Sequence, residues 1–296
     1  MFYCPPFLDP VNLPAMSLLL LLRFLHLTSL MLVFGACMFR PLLLIHADRH
    51  PRVRNLLDPL VCLLAALALI SGVGWLFATA YEVSGTVDMS RVRDLLGQGL
   101  FGKVWMLHLM CCIAVLVCLR IPNPRLQVVA RPLSALALAT LAPVAQHALE
   151  GSMGQWLVIN QLLHLLSLGA WCGGLMVLLF MLGALGVEQA QPLRARFHDV
   201  GAVLLAVAVA SAAIGLWAWT HAASVPAQGA NITAALATEL AVLVAMLMLA
   251  LHQRRLANAP FDATAARQAV TLQWACALVA VAALCVVGAL APAVLG

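Results

Sequence analysis

Eight long apolar stretches constrain the fold of this chain more than any other feature of its sequence. Each approaches the roughly 20 apolar residues that a helix needs to cross a hydrocarbon core about 30 Å thick. The stretches lie near residues 15–39, 57–80, 101–119, 132–149, 157–184, 198–220, 233–252 and 269–291. Because backbone N–H and C=O groups must pair internally in lipid, such stretches fold as helices. We therefore predict an all-α, polytopic membrane helix bundle with eight transmembrane helices.

The composition supports this interpretation. Hydrophobic residues make up 64% of the chain and charged residues only 9%, whereas soluble domains carry about 25% charged residues. The predicted loops are too short for a further domain, so residues 1–296 are expected to form a single membrane domain. The net charge of +5 comes mostly from loop arginines, which indicates contact with anionic lipid headgroups and no nucleic-acid partner.

The basic residues predict the orientation in the membrane, because lysine and arginine collect in short cytoplasmic loops. Twelve of the 16 follow odd-numbered predicted spans. They are Arg40, Arg49, Arg52, Arg54, Arg120, Arg125, Arg131, Arg194, Arg196, Arg254, Arg255 and Arg267. Both termini should therefore lie outside, in the periplasm of a bacterium, and the first helix should be retained, since Met1–Ser17 has no basic signal-peptide region. The longest outer connection, residues 82–102, is interpreted as a solvated connector, with an interfacial helix as the alternative.

The two halves of the sequence resemble each other. Leu25–Leu30 reads LHLTSL and Leu163–Leu168 reads LHLLSL, and a glycine follows each histidine at the same distance, at Gly35 and Gly173. Two repeats of four helices with the same membrane orientation are predicted, because four is an even number of crossings. They cover roughly residues 15–149 and 157–292.

A pair of glycines follows the second of these histidines. Gly169 and Gly173 form a GxxxG motif just after His164. Such a motif lets a neighbouring helix approach closely, which would fix the position of His164.

The histidines are the first candidates for a site, because ionisable groups inside a membrane are costly and tend to mark function. His26, His108, His147 and His164 come from four predicted helices and lie at similar depth near the outer surface. Imidazole suits copper, zinc and iron. A lone transmembrane histidine is equally well explained by an interhelical hydrogen bond, but the shared depth favours a metal site.

Sulfur-containing residues accompany the histidines. Cys111 and Cys112 follow His108 by three and four positions, which places them on one helical face. Thiolate and thioether ligands favour Cu(I), although cysteine and methionine also serve as apolar filler. The predicted metal-site residues are His26, His108, His147, His164, Cys111, Cys112 and Met153.

Arg23 is a further ionisable residue inside the first predicted span, one helical turn before His26. Its guanidinium has three interpretations. It snorkels outward, it attracts an anion, or it helps to exclude stray cations.

Other classes of function remain open at this stage. Histidines on facing helices at matched depth also suit the axial ligation of haem, which makes a b-type cytochrome the alternative. A third interpretation is a structural or partner-docking membrane protein without metal. The sequence has no Walker-type loop, Rossmann fingerprint, HExxH or Gly-x-Ser-x-Gly element, so we expect no enzyme, with redox activity left open.

Several short motifs resemble the copper resistance protein D family of bacterial inner membranes. They are Leu22–Leu27, Phe101–Trp105, His147–Ala148, Leu163–Leu165, Trp171–Gly174 and Arg196–Phe197, and the resemblance covers approximately residues 15–292. It implies eight spans, a role in copper homeostasis, transport of copper across the inner membrane and a small periplasmic copper-binding partner of the CopC type. It also implies copper-handling roles for His26, His147 and His164, whereas His108 is inferred from the residues alone.

The sequence departs from the family pattern at charged positions. Gln146 precedes His147 and Ala148, where the family usually has the glycine of a Gly-His-Ala motif. Gln273 stands where the last span of the family often has a glutamate, and the seventh span has no lysine. If those groups serve transport, this member differs in mechanism or rate.

Overall fold

The computed structural model describes residues 13–43, 51–85, 88–97, 99–142, 152–185, 187–221, 229–255 and 262–290. Within these residues the chain forms nine α-helices and no strand. The helices are α1 (Leu13–Leu43), α2 (Pro51–Ser84), α3 (Met89–Gly97), α4 (Gly99–Arg120), α5 (Pro124–Ala139), α6 (Ser152–Ala184), α7 (Val187–Thr220), α8 (Gly229–Arg255) and α9 (Ala263–Leu290).

Seven of the described helices, all except α3 and α5, are long and apolar enough to cross a membrane. Large apolar side chains face outward from them: Ile70 and Trp156 are each 69% exposed and Leu63 is 65% exposed. Contiguous apolar surface of this kind requires lipid around it. The predicted polytopic helix bundle is confirmed.

The fourth predicted span, residues 132–149, coincides only partly with a described helix. Helix α5 has 16 residues and ends at Ala139, which gives it a length of about 24 Å. Residues 143–149 lie outside the described part of the chain. The eighth crossing therefore stays a prediction.

The connection between α2 and α4 contains the short helix α3, so the interpretation as a plain solvated connector was wrong. Val92 and Leu95 are buried while Arg91 and Arg93 are exposed, because residues three apart share one face of a helix. At its start, the Ser90 hydroxyl and N–H donate to the Asp88 carboxylate and hold the pKa of that group below its ordinary value. A helix with one apolar and one charged face suits the membrane interface.

The centre of the bundle is the crossing of α1 and α6. A Cβ atom added to Gly35 would lie 2.5 Å from the Gly169 carbonyl oxygen and 2.6 Å from the Gly173 Cα. No side chain fits at such distances, so the two backbones pack directly against each other. The close helix approach predicted from the GxxxG motif is confirmed.

The contacts of α1 and α2 show that these helices are antiparallel. Leu22, early in α1, contacts Gly74, late in α2. Arg40, late in α1, forms an ion pair with Asp58, early in α2. At both ends of the pair, the start of one helix lies beside the end of the other, so the two helices run in opposite directions.

The contacts of α1 and α6 show the opposite relation. Met31 lies next to Gly169, and Phe39, eight residues further along α1, lies next to Gly174. Contacts that advance together along both chains mean that α1 and α6 run in the same direction. The first histidine-bearing helix of each sequence half therefore enters the bundle from the same side.

Candidate functional site

Two of the predicted histidines meet in the interior. His26 on α1 and His108 on α4 are both 0% exposed, and their Nε2 atoms lie 3.0 Å apart. We call these two residues the histidine pair. Their side chains come from helices that are separated in sequence by α2 and α3, so only the tertiary packing brings them together.

The other ring nitrogen of each histidine determines its tautomer. Nδ1 of His26 lies 2.8 Å from the Ala68 carbonyl oxygen, and Nδ1 of His108 lies 3.0 Å from the Ala137 carbonyl oxygen and 2.9 Å from Thr140 Oγ1. The Thr140 hydroxyl donates to the Ala137 carbonyl. Carbonyl oxygens only accept, so both Nδ1 atoms carry the hydrogen. In the neutral rings, two Nε2 lone pairs therefore face each other, and the Cys112 thiol lies within hydrogen-bond distance of the one on His108.

One predicted sulfur ligand lies next to the histidine pair. Cys112 Sγ is 3.5 Å from Nε2 of His108, whereas the buried Cys111 makes no hydrogen bond to either histidine. In the part of the chain that the structure describes, no group of three or more His, Cys, Asp or Glu side chains is arranged to hold a metal ion. The described cluster thus offers two nitrogens and one adjacent sulfur.

Two other predicted ligands cannot be compared with this cluster. His147 lies outside the described residues, and the structure describes the helical backbone of Met153 but not its side chain. Their assignment to a metal site stays a prediction.

Tryptophan side chains enclose the histidine pair. The ring centroid of Trp75 lies 5.7 Å from that of His26, and the Trp105 ring stacks on His108 at 5.2 Å. A Cβ atom added to Gly72 would lie 3.0 Å from the His26 ring, so a glycine there leaves space for the imidazole. The aromatic wall keeps the two nitrogens in an apolar environment, where an unpaired polar group is costly.

The fourth predicted histidine has different partners. His164 on α6 places Nε2 3.0 Å from Glu239 Oε1 on α8 and Nδ1 3.0 Å from the Ser211 hydroxyl on α7. His164 is 3% exposed and Glu239 2%. The sequence analysis missed Glu239, although a single carboxylate inside the seventh predicted span satisfies the rule that was applied to the histidines.

A cavity of about 150 Å³ adjoins the His164–Glu239 pair. Its polar lining comes from both sequence halves: Arg23, Asn160, Gln161, His164, Ser211 and Glu239. Trp75 also lines the cavity, and its ring contacts that of His26. One indole ring therefore separates the cavity from the histidine pair.

Arg23 faces this cavity. Its guanidinium lies over the Trp75 ring, 5.0 Å from the ring centroid, and among the described residues its Nε and Nη1 atoms have no hydrogen-bond partner. Arg23 is only partly buried, so the three interpretations of this arginine stay predictions. Its positive charge acts on the cavity.

The two buried histidine sites correspond between the halves. His26 on α1 is anchored to α2 and meets a side chain of α4, whereas His164 on α6 is anchored to α7 and meets a side chain of α8. The partner that faces Nε2 differs: an imidazole in the first half and a carboxylate in the second.

Comparisons with known proteins identify similar sequences. Residues 13–156 match the family described as copper resistance protein D-like, N-terminal domain. The chain is 29% identical over 207 residues to a protein of Pseudomonas syringae pv. tomato named copper resistance protein D. That match covers 65% of this chain and 66% of the relative, so the chain spans about two thirds of the relative's length. No solved structure matches the chain.

Proposed function

Because this chain belongs to the copper resistance protein D family, we propose that it binds copper at the histidine pair and moves it across the bacterial inner membrane. One observation carries the proposal: two Nε2 lone pairs converge at 3.0 Å in a fully buried place. Two acceptors that face each other are unfavourable unless they share a proton or a metal cation. Copper is such a cation, and imidazole is one of its preferred ligands.

The surroundings of the histidine pair support a metal site. A metal-binding histidine typically donates its second ring N–H to a carbonyl oxygen, which fixes the ring and its tautomer. His26 and His108 both have this anchor. Cys112 adds a soft sulfur beside His108, so Cu(I) is the favoured species.

The helix directions support eight crossings, which would place both termini on the same side of the membrane. Trp75 contacts Trp105, and Gly72 contacts Leu109, so α4 runs opposite to α2 and in the same direction as α1. Helix α6 also runs in the direction of α1, so the chain between α4 and α6 has to return across the membrane. That return is the fourth span.

This topology indicates the side of the membrane from which copper would reach the histidine pair. With the termini in the periplasm, as the basic loops predict, His26 and His108 lie in the halves of α1 and α4 nearer that compartment. A small periplasmic protein of the CopC type, the partner that the family resemblance implies, is then placed to supply the copper.

The proposed function is tested by loading and transport. Purified protein is incubated anaerobically with Cu(I), and copper and iron are measured by elemental analysis. The same protein in sealed liposomes is assayed for copper entering the lumen. Bound copper with uptake above protein-free liposomes supports the proposal.

Each alternative has its own outcome in these measurements. Stoichiometric iron with a Soret absorption band would identify a haem protein instead. At the histidine pair a porphyrin has no space, because the two imidazoles are in direct contact. If the protein binds neither metal and the outer histidines are dispensable, the structural or partner-docking role would remain.

Copper binding is expected to weaken as the pH falls. A proton on either Nε2 occupies the lone pairs that copper needs, so protons and copper compete. Below the pH at which the histidine pair takes up a proton, the apparent affinity should drop about tenfold per pH unit. Titrations against a Cu(I) chelator of known pH dependence measure this. An affinity that stays constant into the acidic range would contradict coordination by the two bare nitrogens.

A further inference from the structure

We infer that the cavity between the two halves is a binding site for a single monovalent anionic group, with Arg23 as its counter-charge. The inference goes beyond the proposed function and does not depend on copper. Its basis is a surplus of hydrogen-bond donors: the side chains of Arg23 and Trp219 both line the cavity. Among the described residues, Nε and Nη1 of Arg23 and Nε1 of Trp219 have no hydrogen-bond partner. All three atoms are donors only, so the ligand that satisfies them is an acceptor.

The charge of Arg23 favours a negative acceptor. No ion pair within the described part of the chain includes Arg23. Glu82, at the end of α2, acts on it through its charge, and the Trp75 ring lies 5.0 Å from the guanidinium, but a ring face supplies no lone pair. A guanidinium with unpartnered N–H groups in an apolar interior is stabilised by a charge-assisted hydrogen bond to an anion.

The remaining polar residues limit the charge of the ligand. Glu239 lines the same cavity, and its Oε1 lies 3.0 Å from Nε2 of His164. A carboxylate there repels further negative charge, so the site suits one charge and not two. Asn160 donates to the Ser211 carbonyl oxygen, whereas the side-chain amide of Gln161 adds another donor to the lining.

The size of the cavity favours a small ion as the source of that charge. Its volume is about 150 Å³, compared with the roughly 30 Å³ that a water molecule occupies in the liquid. A chloride ion with a few water molecules fits. The headgroup of an anionic lipid offers the same charge, but its acyl chains would have to pass between the helices that enclose the cavity.

Equilibrium dialysis with radioactive chloride tests the inference. The purified protein is kept in a neutral detergent, and gluconate replaces chloride so that the ionic strength stays constant. We expect the wild-type protein to bind about one chloride ion per chain in a saturable manner, and Arg23→Gln to bind nearly none. Arg91→Gln, which removes an exposed arginine of α3, is the matched control and should bind like the wild-type protein.

Trp219→Phe gives a second readout that leaves Arg23 in place. It removes the N–H donor but keeps an aromatic ring, and loss of one hydrogen bond to a charged ligand should weaken chloride binding about tenfold or more. The matched control is Trp217→Phe on the same helix, because the exposed Trp217 ring packs beside His221. This control should keep the wild-type affinity. If Arg23→Gln fails to fold, as thermal unfolding would reveal, the comparison of the two tryptophan variants decides.

Mass spectrometry of the lipids that purify with the protein distinguishes the two sources of the charge. Chloride binding that Arg23→Gln and Trp219→Phe weaken supports a free ion. An anionic lipid that stays with the wild-type protein but not with these variants supports the site with a headgroup as its ligand. A wild-type protein that binds neither chloride nor an anionic lipid overturns the inference, as does chloride binding that both variants leave unchanged. Copper loading is measured separately, so the proposed function stands or fails independently.

Discussion

Replacing His26 or His108 by alanine is expected to reduce bound copper from about one ion per chain to nearly none. Each substitution removes one of the two nitrogens that converge at 3.0 Å, and one imidazole in an apolar wall does not retain a cation. Elemental analysis of the purified variants after anaerobic Cu(I) loading measures the effect. The double variant should also lose copper uptake in liposomes.

The matched control for these variants is His198→Ala. His198 is also 0% exposed, and among the described residues neither ring nitrogen has a hydrogen-bond partner. His198→Ala therefore removes a buried imidazole of the same size without removing a predicted copper ligand. This variant should bind as much copper as the wild-type protein. Full copper occupancy in the His26→Ala, His108→Ala double variant would refute the site.

His164→Ala separates two interpretations of the third histidine. The family resemblance implies a copper-handling role for His164, whereas its contacts with Glu239 and Ser211 favour a structural role as an interhelical hydrogen-bonding residue. Loss of copper from this variant would support direct ligation. Retained copper with a lowered unfolding temperature would support the structural role.

Gly173→Leu is expected to destabilise the whole bundle by about 3 kcal/mol or more, as severe overpacking does. A Cβ atom at this position would lie 2.5 Å from the Gly35 Cα and 2.6 Å from the Leu32 carbonyl oxygen. Both atoms belong to the backbone of α1, which cannot yield as a flexible side chain does. The helices must separate, and the packing at the centre of the bundle is lost.

Thermal unfolding in detergent, followed by the fluorescence of the seven tryptophans, measures this destabilisation. Gly183→Leu is the matched control on the same helix, because a Cβ atom there meets nothing within 4 Å among the described residues. The control should unfold near the wild-type temperature. If Gly173→Leu unfolds at that temperature too, the direct backbone packing of α1 and α6 is wrong.

The close crossing of α1 and α6 was predictable because glycine spacing is a local signal. Gly169 and Gly173 lie one helical turn apart, and small residues at that spacing permit backbone contact whatever the partner helix is. Seven of the eight predicted spans were likewise confirmed as long apolar helices, since bilayer thickness sets their length. The fourth span was the least certain from length, and its described helix, α5, is also the shortest of the predicted crossings.

The partners of the buried ionisable residues were not predictable in the same way. Counting along the spans placed His26, His108 and His164 at similar depth, but the structure pairs the first two and gives the third to Glu239. Depth follows from position in sequence, at about 1.5 Å per residue. The direction in which a side chain points depends on the rotation of each helix about its axis.

The sequence alone therefore determined the membrane environment, the helices and the ionisable residues available for chemistry. The tertiary structure decided which of those residues meet. In a soluble protein the polar face of an amphipathic helix reveals its rotation. Here lipid and protein interior are equally apolar, so hydrophobicity does not distinguish the face toward lipid from the face toward the core. Only packing contacts, such as those of Gly35 and Trp75, fix that rotation and bring the histidine pair together.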